Sequence, residues 1–331
     1  MSLEIKSVEI KPKRETFGHV ARRIGEGKLA SRYEEATYDL QPTANFHYKP
    51  LANPEFELYD VKKTGVVMED WYKFMDPRQY HYASYVTARA KQQEVAEQNF
   101  VFVEKRNMLD FMPEEIKDEI LEYVLPLRHY EWGANMNNLQ LVSEGYGAAL
   151  CNAFMFHAED RLGNAQYITR IGLLLSENEA HVLDTGKDKW LNDSSWQGLR
   201  KAMEDTFVLK DWFELHIAQN IVFDAFIHPL YFNLYEQELN KRGGSSQSMM
   251  TEFITVWNEE CGRWLDMTVK VAIDESDENK ELITKWCEKY IDIAYDAVLP
   301  LAQKILSNPV ECVDEVKGQL IARLNKSGLS L

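Results

Sequence analysis

The chain has 331 residues, 45% hydrophobic and 27% charged, a balance that excludes a disordered protein. Its net charge of −16 excludes a nucleic-acid binder, because phosphate contacts need a positive surface. There is no apolar run of about 18 residues and no apolar core of a secretory signal, so a cytoplasmic protein without a membrane span is expected. The four cysteines, Cys151, Cys261, Cys287 and Cys312, are never spaced as C-x-x-C and suit buried free thiols.

Residues 1–32 carry eight basic residues, among them Lys11, Lys13, Arg14, Arg22 and Arg23, against four glutamates. A basic segment on an acidic protein fits an extension lying on another subunit, or a solvated tail. Residues up to 68 lack helical periodicity, and Pro42, Pro50 and Pro54 among aromatics favour an extended, docked arm. The division expected is an arm over 1–68 and one helical domain over 69–331. Asp76-Pro77 reads as a helix start, with Tyr82, Tyr85, Val86 and Arg89 at helical spacing as far as about residue 105. Trp71, Asp76, Arg78, Tyr82 and Tyr85 are the candidate interface residues of this stretch. Pro113-Glu114-Glu115 opens another helix, and Pro126 breaks it.

The stretch from Leu127 to Arg161 is helical in pattern, with Gly145 and Gly147 marking a turn between two antiparallel helices. Further helices are expected over about 166–183, 196–207, 212–242, 248–273 and 278–305, with a loop at Arg242-Gly243-Gly244. No strand alternation or repeat appears. The fold expected is all-α, a ferritin-like bundle of long helices.

Di-iron bundles take one Glu from each of two helices and a Glu-x-x-His pair from each of two others. Here Glu131, Glu159 and Asp224 are the acids at candidate ligand positions, Asp224 lying in the apolar run NIVFDAFIHPLYF. Leu162 stands three residues after Glu159, where the histidine belongs, and Asn258 and Cys261 fill the other pair of slots. Such a set lacks the nitrogen donors to hold two irons. The alternative for each acid is a buried carboxylate paired to an arginine, a tyrosine or a backbone donor. A leucine buried at a former ligand position predicts a cavity on Leu162→Ala, costing about 2–5 kcal/mol.

The stretches WYKFMDPRQYHYASYVTARAKQQE (71–94), LPLRHYEWGANMNN (125–138), WQGLRKAME (196–204) and NIVFDAFIHPLYF (220–232) together resemble the β subunit of bacterial multicomponent monooxygenases. The phenol hydroxylase branch is the most similar, with the toluene monooxygenases as relatives. The resemblance implies a metal-free, non-catalytic β subunit of a hydroxylase that converts phenols to catechols with O2. It also implies a di-iron α subunit, a γ subunit, assembly as a dimer of αβγ units, a small regulatory protein, and a reductase carrying FAD and an iron–sulfur cluster and using NADH. Two rivals stay open: a di-iron oxygenase with atypical ligands, and an acidic helical scaffold unrelated to oxygenases.

Overall fold

A computed structural model describes residues 15–41 and 54–331, and Lys11, Lys13 and Arg14 lie outside them. Among the described residues there is no strand. Two short helices, α1 (Gly18–Ile24) and α2 (Arg32–Glu35), precede the long ones, so the arm is not extended throughout. Ser31 caps α2 by accepting from the Glu34 N–H while the Glu34 carboxylate accepts from the Ser31 N–H, which makes so short a helix tenable.

The next helix, α3 (Tyr82–Lys105), begins five residues after Pro77. The Asp76 carboxylate is taken by the backbone N–H of Arg78 at 2.8 Å and by its guanidinium. Gln79, at φ 53°, then turns the chain, and the Ser84 hydroxyl accepts the His81 N–H. The acid that reads as a cap is therefore the hub of a turn.

Acids in the first turn and the buried pair Ile116 and Ile120 define α4 (Glu114–Tyr123), and Pro126 separates it from α5 (Leu127–Glu144). The hairpin from α5 into α6 (Ala148–Leu175) turns at Gly145 and Gly147. Gly147 has φ 89°, and a Cβ there would sit 3.4 Å from Trp71 Cβ, so both conformation and space call for glycine. The expected helix over 166–183 is instead the end of α6 and the start of α7 (His181–Asn192), joined at Glu177 and Asn178, both at positive φ. α8 (Gln197–Thr206) follows.

One continuous helix, α9, spans residues 212–241 and contains two π-helical runs, Ile217–Phe223 and Leu230–Tyr235, on either side of Asp224–Pro229. Asp211 caps it by accepting from the N–H groups of Phe213 and Glu214, and its second oxygen accepts from Gly65 at 2.6 Å. The remaining helices are α10 (Ser245–Glu275), α11 (Asp277–Ile305) and α12 (Pro309–Ser327). Proline at the first position starts α12, a helix not anticipated from the sequence.

The later part of the arm docks on this bundle. The Asn279 side chain accepts from the Val67 N–H and donates to the Val67 carbonyl, at 3.0 and 2.8 Å. Val66, Met68, Trp71 and Phe74 join the same core as the long helices. Arg23 pairs with Asp39 and with Asp70, beneath the rings of Tyr38 and Tyr72. Trp71, Asp76, Arg78 and Tyr85 are likewise engaged within the chain: the residues Trp71, Asp76 and Tyr85 are buried and so is the Arg78 side chain. Of the expected interface residues on 71–85, only Tyr82 is exposed, at 75%. The reason is that the arm and the start of α3 need those side chains for their own packing.

A buried guanidinium at the candidate metal centre

Four helices send polar side chains into one apolar interior. A helix places residues three, four and seven apart on one face. On that rule α6 supplies His157, Arg161 and Asn164 and α10 supplies Trp257 and Cys261, with Asn258 at the edge, while α5 adds the adjacent buried pair Tyr130 and Glu131. The π-containing α9 supplies Gln219, Asp224 and His228, all buried.

Arg161, with no exposed surface, is the centre of the group. Its Nε lies 2.9 Å from Glu131 Oε2, and its Nη2 donates to Asp224 Oδ1 at 2.8 Å. Nη1 is 3.2 Å from Nε2 of His228, and that nitrogen is also 3.2 Å from Glu131 Oε1. Asp224 Oδ1 takes two more donors, the Tyr130 hydroxyl at 2.7 Å and the Gln219 amide at 3.0 Å. Burial would push the Arg161 guanidinium toward neutrality, but Asp224 and Glu131 hold it above even the ordinary arginine range. Burial, reinforced by Asp224, drives the Tyr130 hydroxyl well up, so it stays a proton donor.

His157 fills the next layer. It stacks on Trp257 with ring centroids 5.2 Å apart, and its Nε2 is 4.0 Å from Asp224 Oδ2. Burial first, then the Arg161 and Arg78 guanidiniums, keeps it neutral. Its Nδ1 is 3.8 Å from Cys261 Sγ, a thiol that burial raises to about 12. Asn258 Oδ1 meets His228 Nδ1 at 3.1 Å.

Glu131, Asp224, Asn258 and Cys261 thus surround one site, but Glu159 and Leu162 do not. With about 100° of rotation per residue, the helix that turns His157 and Arg161 inward turns those two outward. Leu162 is 42% exposed and Glu159 is exposed. The cavity expected of Leu162→Ala is therefore withdrawn: its cost should be within about 0.5 kcal/mol, as for ordinary surface positions, by urea denaturation.

The role that the sequence did not reveal is that of Arg161 as the counter-charge of both acids. Two buried acids require a cation, and of the two arginines of α6, Arg161 and Arg170, only Arg161 shares the face of the buried His157. A second network beside it was also unforeseen. Asp160 accepts from Arg89 Nε and Nη2 at 2.7 and 2.8 Å, from Tyr85 at 2.8 Å and from Trp257 Nε1 at 2.8 Å. Arg89 then reaches both oxygens of Glu260 at 3.0 Å. One carboxylate so joins α3, α6 and α10.

This donor set does not fit a di-iron centre. The guanidinium takes the central position, covers oxygens from both acids and would repel a metal cation. Among the described residues no three acid, imidazole or thiol side chains converge closely enough to hold an ion.

Over residues 53–276 the sequence matches the family model described as methane/phenol/alkene hydroxylase. It is 44% identical over 329 residues to the oxygenase component DmpL of phenol 2-monooxygenase from Pseudomonas sp. (strain CF600), covering 99% of this chain and 98% of that one. The chain belongs to the methane/phenol/alkene hydroxylase family. A chain in the crystal structure of phenol hydroxylase from Pseudomonas sp. OX1 superposes with a TM-score of 0.93 at 40% identity, covering 99% of both chains. The hydroxylase subunit beta of the toluene-4-monooxygenase system of Ectopseudomonas mendocina is more distant, at 22% identity over 86% of this chain and 85% of its own length. These hydroxylase-family relatives account for the helical ferritin-like bundle. No helix among the described residues is long and apolar enough to cross a membrane.

Proposed function

We propose that this chain is the non-catalytic β subunit of the hydroxylase component of a multicomponent phenol monooxygenase. The complex would convert phenols to catechols with O2. A di-iron α subunit would perform the chemistry, with electrons drawn from NADH through a reductase containing FAD and an iron–sulfur cluster. The subunit would join α and γ in a dimer of αβγ units, with a regulatory protein acting on the assembly and the arm of residues 1–68 widening the contact.

The observation that carries this reading is Arg161, ion-paired with both inward-facing acids where a catalytic relative would need metal. A guanidinium cannot be deprotonated in a protein and donates only, so it offers no ligand and no redox chemistry. What remains for such a bundle is mechanical: to brace a neighbouring bundle whose active site must be held to about half an ångström.

Iron analysis of the chain after separation from its partners tests the proposal. Substoichiometric, easily removed iron is expected. Tightly held iron approaching two per chain would overturn it and favour a di-iron oxygenase with atypical ligands.

A further inference from the structure

Glu159 and Leu162, turned away from the buried cluster, lie on a surface that the helical core leaves unused. On α6, Glu159, Gly163 and Gln166 are spaced by four and three residues and form one outward stripe, with Leu162 beside it. A depression of about 390 Å³ opens on each side of this stripe. The first, between α3 and α6, has Glu159, Asn164, Tyr167 and Phe253 in its wall. The second, between α5 and α6, has Trp132, Leu162 and Thr169. Gln166 borders both, so the two form a single saddle across α6.

The α5 side is apolar beyond what a monomer's surface needs. Trp132, Met136 and Leu139, spaced by four and three along one face of α5, are 53%, 40% and 43% exposed, and Leu162 extends the patch onto α6. The α3 side is polar. Arg89 and Arg170 there are committed to Asp160, Glu260 and Glu97, whereas Glu159 makes no ion pair among the described residues. At the crest, a Cβ built on Gly163 would meet nothing within 4 Å, so a partner backbone can approach α6 closely.

We infer that the saddle over Gly163 seats a helix of a partner subunit, one carrying an apolar side chain for the Trp132–Leu162 groove and a lysine or arginine for Glu159. This deepens the subunit reading by naming the seat. A second copy of the chain fits poorly, since each copy carries a net charge of −16 and would bring like charges together.

The test uses the chain co-expressed with the other hydroxylase subunits. Gly163→Trp projects into open space, so the helical circular dichroism should be unchanged, whereas co-elution with the larger subunit should be lost. Gly163→Ala should assemble normally. Glu159→Lys, an independent variant that leaves the crest intact, should weaken association about ten-fold or more, the defect easing as salt rises. Wild-type co-elution of folded Gly163→Trp, or full affinity in Glu159→Lys, would overturn the inference. So would loss of self-association in place of hetero-assembly. Tight iron in the separated chain would sink the subunit reading and leave this seat standing; normal assembly of Gly163→Trp would do the reverse.

Discussion

Replacing Arg161 with methionine should lower the stability of the chain by about 3–5 kcal/mol, the usual result of removing one partner from a buried ionic group. The substitution preserves much of the volume but leaves Glu131 and Asp224 buried together without their guanidinium. Arg161→Lys should recover only part of the loss, because a point charge cannot reach both carboxylates in the planar geometry seen at Nε and Nη2. The triple variant Arg161→Met, Glu131→Gln, Asp224→Asn should recover most of it, since polar amides can use Tyr130, Gln219 and His228. Chemical denaturation of the four proteins decides the point. A loss below about 1 kcal/mol for Arg161→Met would mean that the cluster does not hold the bundle together, since surface changes reach about 0.5.

Glu236→Gln should stabilise the chain at pH 8 and not at pH 4. Glu236 is 8% exposed on α9 and accepts a hydrogen bond from the Thr251 hydroxyl. Burial is the main cause that raises its carboxyl from 4.5 to about 7, with the Thr251 and Ser248 hydroxyls opposing. Between those two values the folded chain binds a proton that the unfolded chain has released. Stability therefore falls as pH rises through this window and levels off once Glu236 is ionised in both states. Glutamine accepts the same hydroxyl and has no charge to bury. The gain should be about 3 kcal/mol at pH 8, because each tenfold change in proton affinity is worth about 1.4 kcal/mol, and it should fade below about pH 4.5. Urea midpoints at the two pH values measure it. Equal midpoint differences at both would show that the carboxylate is solvated.

The all-α character was legible because apolar residues recur at spacings of three and four, and the α5–α6 hairpin because two glycines interrupt that rhythm. Asp224 was legible as an acid in an apolar run, and Glu131 as an acid at a candidate ligand position. Other features depend on tertiary context that a local pattern lacks. Asp76-Pro77 has the chemistry of a helix start, but Arg78 takes the carboxylate and delays the helix to Tyr82. The π turns of α9 have no compositional mark, though they lie on either side of the segment from Asp224 to His228. The rotation of α6 was the costliest ambiguity. Matching Glu159 and Leu162 to a metal-binding pair turned the helix by about two residues' worth of rotation and hid the role of Arg161, whose ionic and hydrogen-bonding partners come from two other helices, α5 and α9.

A cation attached through a peptide backbone cannot be stripped by a chelator, traded for copper or zinc, or lost when the cell is starved of a transition element. In bundles whose acids await an ion, neutralisation depends on metal delivery. Here translation itself supplies the counter-charge of Glu131 and Asp224. The charges of this interior are therefore balanced as soon as α5, α6 and α9 come together.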